Sequence, residues 1–164
     1  MIRKAGAADF DAIWPLLRDV FRAGDTYAVD PAIGKEDALR YWTGRAACFV
    51  AEDTRGIIGT YYIKTNQAGG GAHICNCGYI VAPAARGQGL AAQMCVHSQK
   101  AARALGYHAM QFNLVLASNT GAVRLWHRLG FTTVGTIPDA FAHPSQGFVD
   151  AYVMHKRLID TAPE

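Results

Sequence analysis

Apolar positions along the chain change period several times, and each change marks an element. Phe10, Ile13, Trp14, Leu17, Val20 and Phe21 recur at three- and four-residue intervals, the stripe of an amphipathic helix. That spacing predicts a short strand from Ile2 followed by a helix over residues 9–22, capped at Asp9 or the residue before it and ended by Gly24. Pro15 falls near the first turns of this helix, where proline is tolerated. Asp30-Pro31 marks a turn before a second helix over 35–42. Residues 47–53 and 57–67 are rich in β-branched and aromatic side chains and read as strands, joined by the hairpin residues Asp53-Thr54-Arg55-Gly56. After the flexible Gly69-Gly70-Gly71, residues 73–81 form a strand, 83–89 a turn and 89–105 a long helix stopped by Gly106. A strand over 108–116, a helix from the Asn119 cap to Leu129, and two strands over 131–137 and 148–155 complete the series.

The order is therefore β-α-α-β-β-β-α-β-α-β-β. Three adjacent antiparallel strands come first, and a right-handed β-α-β crossover follows. No linker and no internal repeat interrupts it. A single domain over residues 1–164 is expected, of α/β (α+β) class, with a mixed central sheet of about seven strands and about four helices.

Composition narrows the class. The chain is 51% hydrophobic and 18% charged, too apolar for a disordered protein, and no apolar run is long enough to span a membrane. The opening Met1-Ile2-Arg3-Lys4-Ala5 leads into no apolar signal core, so a cytoplasmic protein with four reduced cysteines is expected, away from membranes. The net charge of +3 is unevenly spread: residues 54–138 hold seven Lys or Arg and no Asp or Glu. Such a block favours an anionic ligand and confines any carboxylate base to the flanking segments. Its cations are scattered rather than clustered, so nucleic acid is not an expected partner.

The most informative segment is Gly78-Tyr79-Ile80-Val81-Ala82-Pro83-Ala84-Ala85-Arg86-Gly87-Gln88-Gly89-Leu90-Ala91, an apolar strand turning into a helix through two glycines. A helix start leaves about four backbone N–H groups unpaired and carries roughly half a positive charge. Glycine at 87 and 89 lets a phosphate approach those amides, and Arg86 adds a donor fork at the mouth. A Walker A loop is excluded because Leu90-Ala91 stands where Lys-Ser/Thr is needed. A dinucleotide fold needs an acidic residue about 20 positions on, and the carboxylate-free block covers that region.

Arg86-Gly87-Gln88-Gly89-Leu90-Ala91 resembles the acetyl-CoA motif of the GNAT superfamily of N-acetyltransferases. Downstream, Asn119, Ala122, Leu125, Trp126, Arg128, Gly130 and Phe131 resemble that family's second conserved stretch, and the element order is similar over residues 1–157. The resemblance implies a GNAT fold whose parallel strands 73–81 and 108–116 splay apart to admit acetyl-CoA. It implies that the amides of Gln88, Gly89, Leu90 and Ala91 hold the pyrophosphate, with Gly87 and Arg86 beside them. It further implies that the edge of Ile80-Val81 pairs with the pantetheine arm, that Asn119 contacts the same arm, and that main chain near Tyr79 supplies an oxyanion donor. Trp126 stands where the family usually carries a tyrosine acid, and indole is no acid at neutral pH, so Trp126 is expected to pack the arm.

Acetyl transfer needs a neutral amine, and an alkylamine is mostly protonated at pH 7. Strand 73–81 holds no Glu, so a base must come from Asp25, Asp30, Glu36 or Asp150, or from ordered water. Asn76 and Asn113 interrupt apolar strands; each either ties down irregular backbone or binds a carboxylate or carbonyl of the acceptor. Residues 111–115 and 141–154 are similar to a GNAT branch that includes a yeast acetyltransferase of azetidine-2-carboxylate, a proline analogue. A small-molecule amine, an amino or imino acid, is the implied acceptor, with Tyr27 in the loop after the first helix and Asp150 also lining its side. Protein N-terminal or lysine acetylation, or an acyl-CoA-binding module without catalysis, are the alternatives, and a homodimer is compatible with the family.

Other candidates read more simply. Cys75 and Cys77 share one strand face, where same-face residues stand about 6.6 Å apart, too far to converge on zinc, so no metal is expected. Nothing in the spacing supports a nucleophile at Cys77 or Cys95. His97, His108, His127 and His155 read as surface or structural, with His143, expected in the final loop, the best outside proton relay. Arg124 and Arg128 read as a solvated helix face.

Overall fold

The computed structural model describes residues 1–159; residues 160–164 of the expected domain lie outside that range. Seven strands form one sheet: β1 (Ile2–Lys4), β2 (Ala47–Asp53), β3 (Gly56–Thr65), β4 (Ile74–Val81), β5 (Ala109–Leu116), β6 (Thr132–His143) and β7 (Gly147–Arg157). Their order is β1-β2-β3-β4-β5-β7-β6. Four helices cover it: α1 (Phe10–Ala23), α2 (Lys35–Thr43), α3 (Leu90–Ala104) and α4 (Thr120–Arg128). The mixed sheet of about seven strands and the four helices expected from the sequence are thus present. Among the described residues no helix is long and apolar enough to cross a membrane.

Each face of the sheet is covered for a reason legible in its strands. The helical stripe of α1 delivers Ile13, Leu17 and Phe21, and α2 delivers Ala38 and Trp42, onto Val50, Tyr62 and Ile80. Thr60 is buried there without cost to its hydroxyl, which accepts from Trp42 Nε1 at 3.0 Å and donates to the Phe49 carbonyl at 2.9 Å. On the opposite face α3 and α4 bury Met94, Cys95 and Trp126 against Tyr61, Ile63, Met110 and Phe112. Cys75 and Cys77 are small core residues of this layer, and burial pushes the Cys77 thiol up, away from nucleophilic use. Side chains alternate faces along a strand, so the odd residues of β4 look toward α3 and the even ones toward α1 and α2.

Every neighbouring pair is antiparallel except β4 with β5. That parallel pair is brief: Ile74 faces Ala109 and Cys75 faces Met110, after which no further pairing holds the strands together. On its other edge β5 is bulged, since Phe112 faces Met154 while Val115 faces Tyr152. The extra residue, in the stretch Asn113-Leu114, bends β5 away from β4. The sheet therefore opens at its middle into a V.

Two expectations need correction. The final strands run on past 131–137 and 148–155: β6 reaches His143 and β7 begins at Gly147, so His143 ends a strand rather than sitting in a loop. The expected strand over 131–137 stops just short of Pro138-Asp139. In the structure this dipeptide is a bulge within an edge strand, where a missing N–H is tolerated, and Asp139 takes φ 50°. The Asp139 N–H donates to Asp150 Oδ1 at 3.0 Å, which holds the bulge in place.

Candidate active site

A cleft of about 640 Å³ occupies the opening between β4 and β5 and runs across the sheet. One end is the start of α3; the other lies under α1 and α2.

At the helix end, Gly87 and Gly89 take left-handed conformations, φ 73° and 77°, which turn the chain from β4 into α3. A Cβ built on either would meet no atom within 4 Å. The bond closing the first turn runs from the Gln93 N–H to the Gly89 carbonyl at 3.1 Å, leaving the amides of Leu90, Ala91 and Ala92 without a partner in the helix. Arg86 lines the cleft beside them. Bared amides, a dipole end and a free guanidinium fit a diphosphate well. Gln88 stands slightly apart, its side chain tied to the Ala84 carbonyl at 3.0 Å. Leu90 turns inward and is buried in the α3 layer.

Along the V, the direction of the main chain decides what β4 offers. The Ile74 carbonyl accepts from the Asn66 N–H, and the Ala82 N–H donates to the Ile58 carbonyl, both at 2.9 Å, so even positions point their backbone groups at β3. The His73 carbonyl accepts from the His108 N–H at 2.8 Å, so odd positions point toward β5. By this alternation the groups of Cys77, Tyr79 and Val81 face the space that β5 vacates. Of the implied pair Ile80-Val81, only Val81 thus presents its backbone; Ile80 is paired with Thr60 and its side chain is core.

The Tyr79 hydroxyl is committed to α3. It shares a 2.7 Å hydrogen bond with Ser98 Oγ, and burial raises its pKa well above that of ordinary tyrosine. The Tyr79 carbonyl accepts from the Tyr27 hydroxyl at 2.8 Å. Tyr27, in the loop after α1, therefore lines the cleft but has its donor committed, and burial keeps it a neutral phenol. Trp126 lies 5.3 Å from the Tyr79 ring and 5.1 Å from Phe112, forming the cleft wall below the V. Asn119 lines the cleft while its Oδ1 caps α4, accepting from the Ala122 N–H at 3.2 Å.

Beneath α1 and α2 the two asparagines part company. Asn76 is 8% exposed, faces the cleft, and its side chain makes no hydrogen bond among the described residues. Asn113 is woven into a network: its Nδ2 donates to Asn66 Oδ1 at 2.7 Å and its Oδ1 accepts from Gln111 Nε2 at 3.1 Å. Asn113 lines the same cleft and also secures the bulge. Asp150 is not brought here; its carboxylate belongs to the β6–β7 bulge. Asp25 and Asp30 bond their own loop, at Thr26 Oγ1 and the Ala32 N–H. Among the described residues no Asp, Glu or His lines the cleft. Lining residues that escape the sequence reading include Tyr41, Tyr62 and Lys64. Lys64 has a signal, being the charged side chain within the otherwise uncharged run 57–67; Tyr41 and Tyr62 look like ordinary core.

A bared helix end joined through a V in a mixed sheet to a pocket under the first helices defines an acetyltransferase of the GNAT class. The chain belongs to the Acetyltransferase (GNAT) family, whose model matches residues 10–131. It is 40% identical over 98 residues to the Schizosaccharomyces pombe N-acetyltransferase aca1, a match covering 59% of this chain. The match covers 47% of that protein, so the chain spans about half the length of this curated relative. A GCN5-related N-acetyltransferase from Kribbella flavida superposes with TM-score 0.91 at 40% identity, covering 96% of each chain. A phosphinothricin acetyltransferase from Sinorhizobium meliloti, solved in complex with acetyl-CoA, shares the fold with TM-score 0.86 at 24% identity, over 100% of this chain and 92% of that one.

Proposed function

We propose that the protein transfers the acetyl group of acetyl-CoA to the nitrogen of a small amine, an amino or imino acid, with both reactants bound at once. The observation that carries this reading is the continuity of one cleft from Arg86 and Ala91 at the turn into α3, past Tyr79 and Val81, to Asn76. Kinship with an N-acetyltransferase at 40% identity supports it. Acetyl-CoA, when bound, supplies the acetyl group: the acceptor nitrogen gains an N–C bond, the thioester C–S bond breaks, and CoA leaves as the thiol with the amine's proton.

The chain's own part is binding and orientation. The amides of Leu90, Ala91 and Ala92, with Arg86, hold the diphosphate. The N–H groups of Tyr79 and Val81 are the donors available to a developing oxyanion in the V. Tyr27, by holding the Tyr79 carbonyl, fixes the direction of that strand edge. Trp126 and Phe112 give an apolar wall that excludes water on one side. Water is the route for the amine's proton, since the cleft lining supplies no carboxylate or imidazole among the described residues.

A homodimer belongs to this reading, supported by the apolar residues that β6 and β7 expose at the sheet edge: Val134, Ile137 and Phe148. Sedimentation velocity tests it, a monomer at tens of micromolar protein counting against it. The enzyme reading is tested by thiol release from acetyl-CoA with a panel of amino and imino acids. Turnover above background with at least one acceptor is expected. Background rates throughout, with CoA still raising the melting temperature, would instead establish a binding module.

A further inference from the structure

Two of the seven cations in the carboxylate-free block line the cleft, one at each end: Arg86 by the helix and Lys64 beneath α1 and α2. The first answers a phosphate. The second has no counter-charge among the described residues. Lys64 is half-buried on β3, directly across from Asn76 in the β3–β4 ladder, and both side chains project from the same face. Neither side chain makes a hydrogen bond or ion pair among the described residues, although Asn76 is more than nine-tenths buried; its amide keeps only the access that the cleft gives it.

The surroundings deepen the positive field. Arg45 approaches from the end of α2, its Nε donating to the Tyr41 carbonyl at 2.6 Å and its guanidinium lying 4.7 Å from the Tyr41 ring centre. Burial, and after it the nearby Arg45 charge, lowers the Lys64 pKa. Among the described residues no carboxylate neutralises either cation; the ion pairs there join Arg3, Arg18, Lys35, Arg40 and Arg55 to acids elsewhere. A partly desolvated ammonium beside an unpartnered amide, walled by Tyr41 and Tyr62, is completed by an anion with two acceptor atoms.

We propose that Lys64, with Asn76 beside it, binds the carboxylate of the acceptor and so selects amino or imino acids over uncharged amines. This rests on the acetyltransferase reading above for the identity of the second reactant, but its geometry is independent of turnover. With the carboxylate held on Lys64, the acceptor's nitrogen is left to point along the cleft toward Tyr79 and Val81. The remaining walls are aromatic and aliphatic, which suits a small ring or short side chain.

The test is calorimetric titration of the CoA-loaded protein with azetidine-2-carboxylate and L-proline, each beside its carboxamide, run in parallel with thiol release. At least one acid is expected to bind roughly tenfold or more tighter than its carboxamide. In Lys64→Met that preference falls to near unity while CoA binding is unchanged, and Lys64→Arg restores part of it. Equal binding of acid and carboxamide, no binding of either acid, or a Lys64→Met variant that keeps the preference would overturn the proposal. Acid-selective binding that depends on Lys64 but releases no thiol would uphold this assignment while sinking the acetyltransferase reading, so the two fail separately.

Discussion

The two asparagines of the cleft show how a side chain's partners decide its meaning. Asn76 has none, so removing its amide leaves no other group unsatisfied. Asn76→Ala is expected to keep its melting temperature within a few degrees while acceptor kcat/KM falls about tenfold, the loss of one hydrogen bond to a charged group. Asn113→Ala strands both Asn66 Oδ1 and Gln111 Nε2, and it loosens a bulge that sets the angle of the V. It should cost about 1–3 kcal/mol in urea unfolding as well as activity. Comparable stability for the two variants would mean that Asn113 does not brace the site. Both residues stand out in sequence as amides in apolar strands. Which one is satisfied is not legible there, because the partners of Asn113 are Asn66, just past the end of β3, and Gln111 of its own strand, brought together beside a bulge that no periodicity announces.

At the scale of elements, the turn into α3 and the backbone of β4 carry the most. Gly89→Val places a branched side chain at φ 77°, in the mouth where the diphosphate is expected. The variant should remain folded yet lose the thermal shift that CoA gives the parent protein. Retention of that shift would show that the turn serves only the fold. Gly78 is constrained from the other side: a Cβ there would sit 2.6 Å from the Tyr62 ring. Gly78→Ala should destabilise the protein by about 1–3 kcal/mol through overpacking, and should weaken acceptor binding more than CoA binding as Tyr62 shifts. The helix-start chemistry is visible in sequence because it depends on local residues, two glycines and an arginine. The acceptor end is only half visible. Lys64 and Tyr62 become lining residues through strand pairing and Tyr41 through the docking of α2, and Asp150 leaves the site because the β6–β7 bulge claims it.

Over the whole molecule, the first strand, first helix and second strand are tied at one corner by Arg3. Its guanidinium bonds Asp9 at 2.8 Å through two nitrogens and Glu52 at 3.0 and 2.8 Å. This pairing, helped by the Gly6 N–H, lowers the Asp9 pKa from 3.8 to about 2. A carboxylate depressed on folding contributes stability that is present above its unfolded pKa and fades as pH falls toward the folded one. Unfolding free energy should therefore drop between about pH 4 and pH 2, and Asp9→Asn should flatten that slope. An unchanged slope would remove Asp9 from the acid response. The order and number of strands follow from apolar periodicity, which reports local burial. The length of β6 does not, because an edge strand exposed along most of its length carries little of that signal, and the start of β7, exposed where it pairs only with β6, is hidden with it. The most direct test of the central claim is amide-resolved NMR of the protein titrated with CoA. Shifts concentrated at Leu90, Ala91 and Ala92 and continuing through Tyr79 and Val81 are expected. Shifts clustered elsewhere, with those five amides unmoved at saturation, would contradict it.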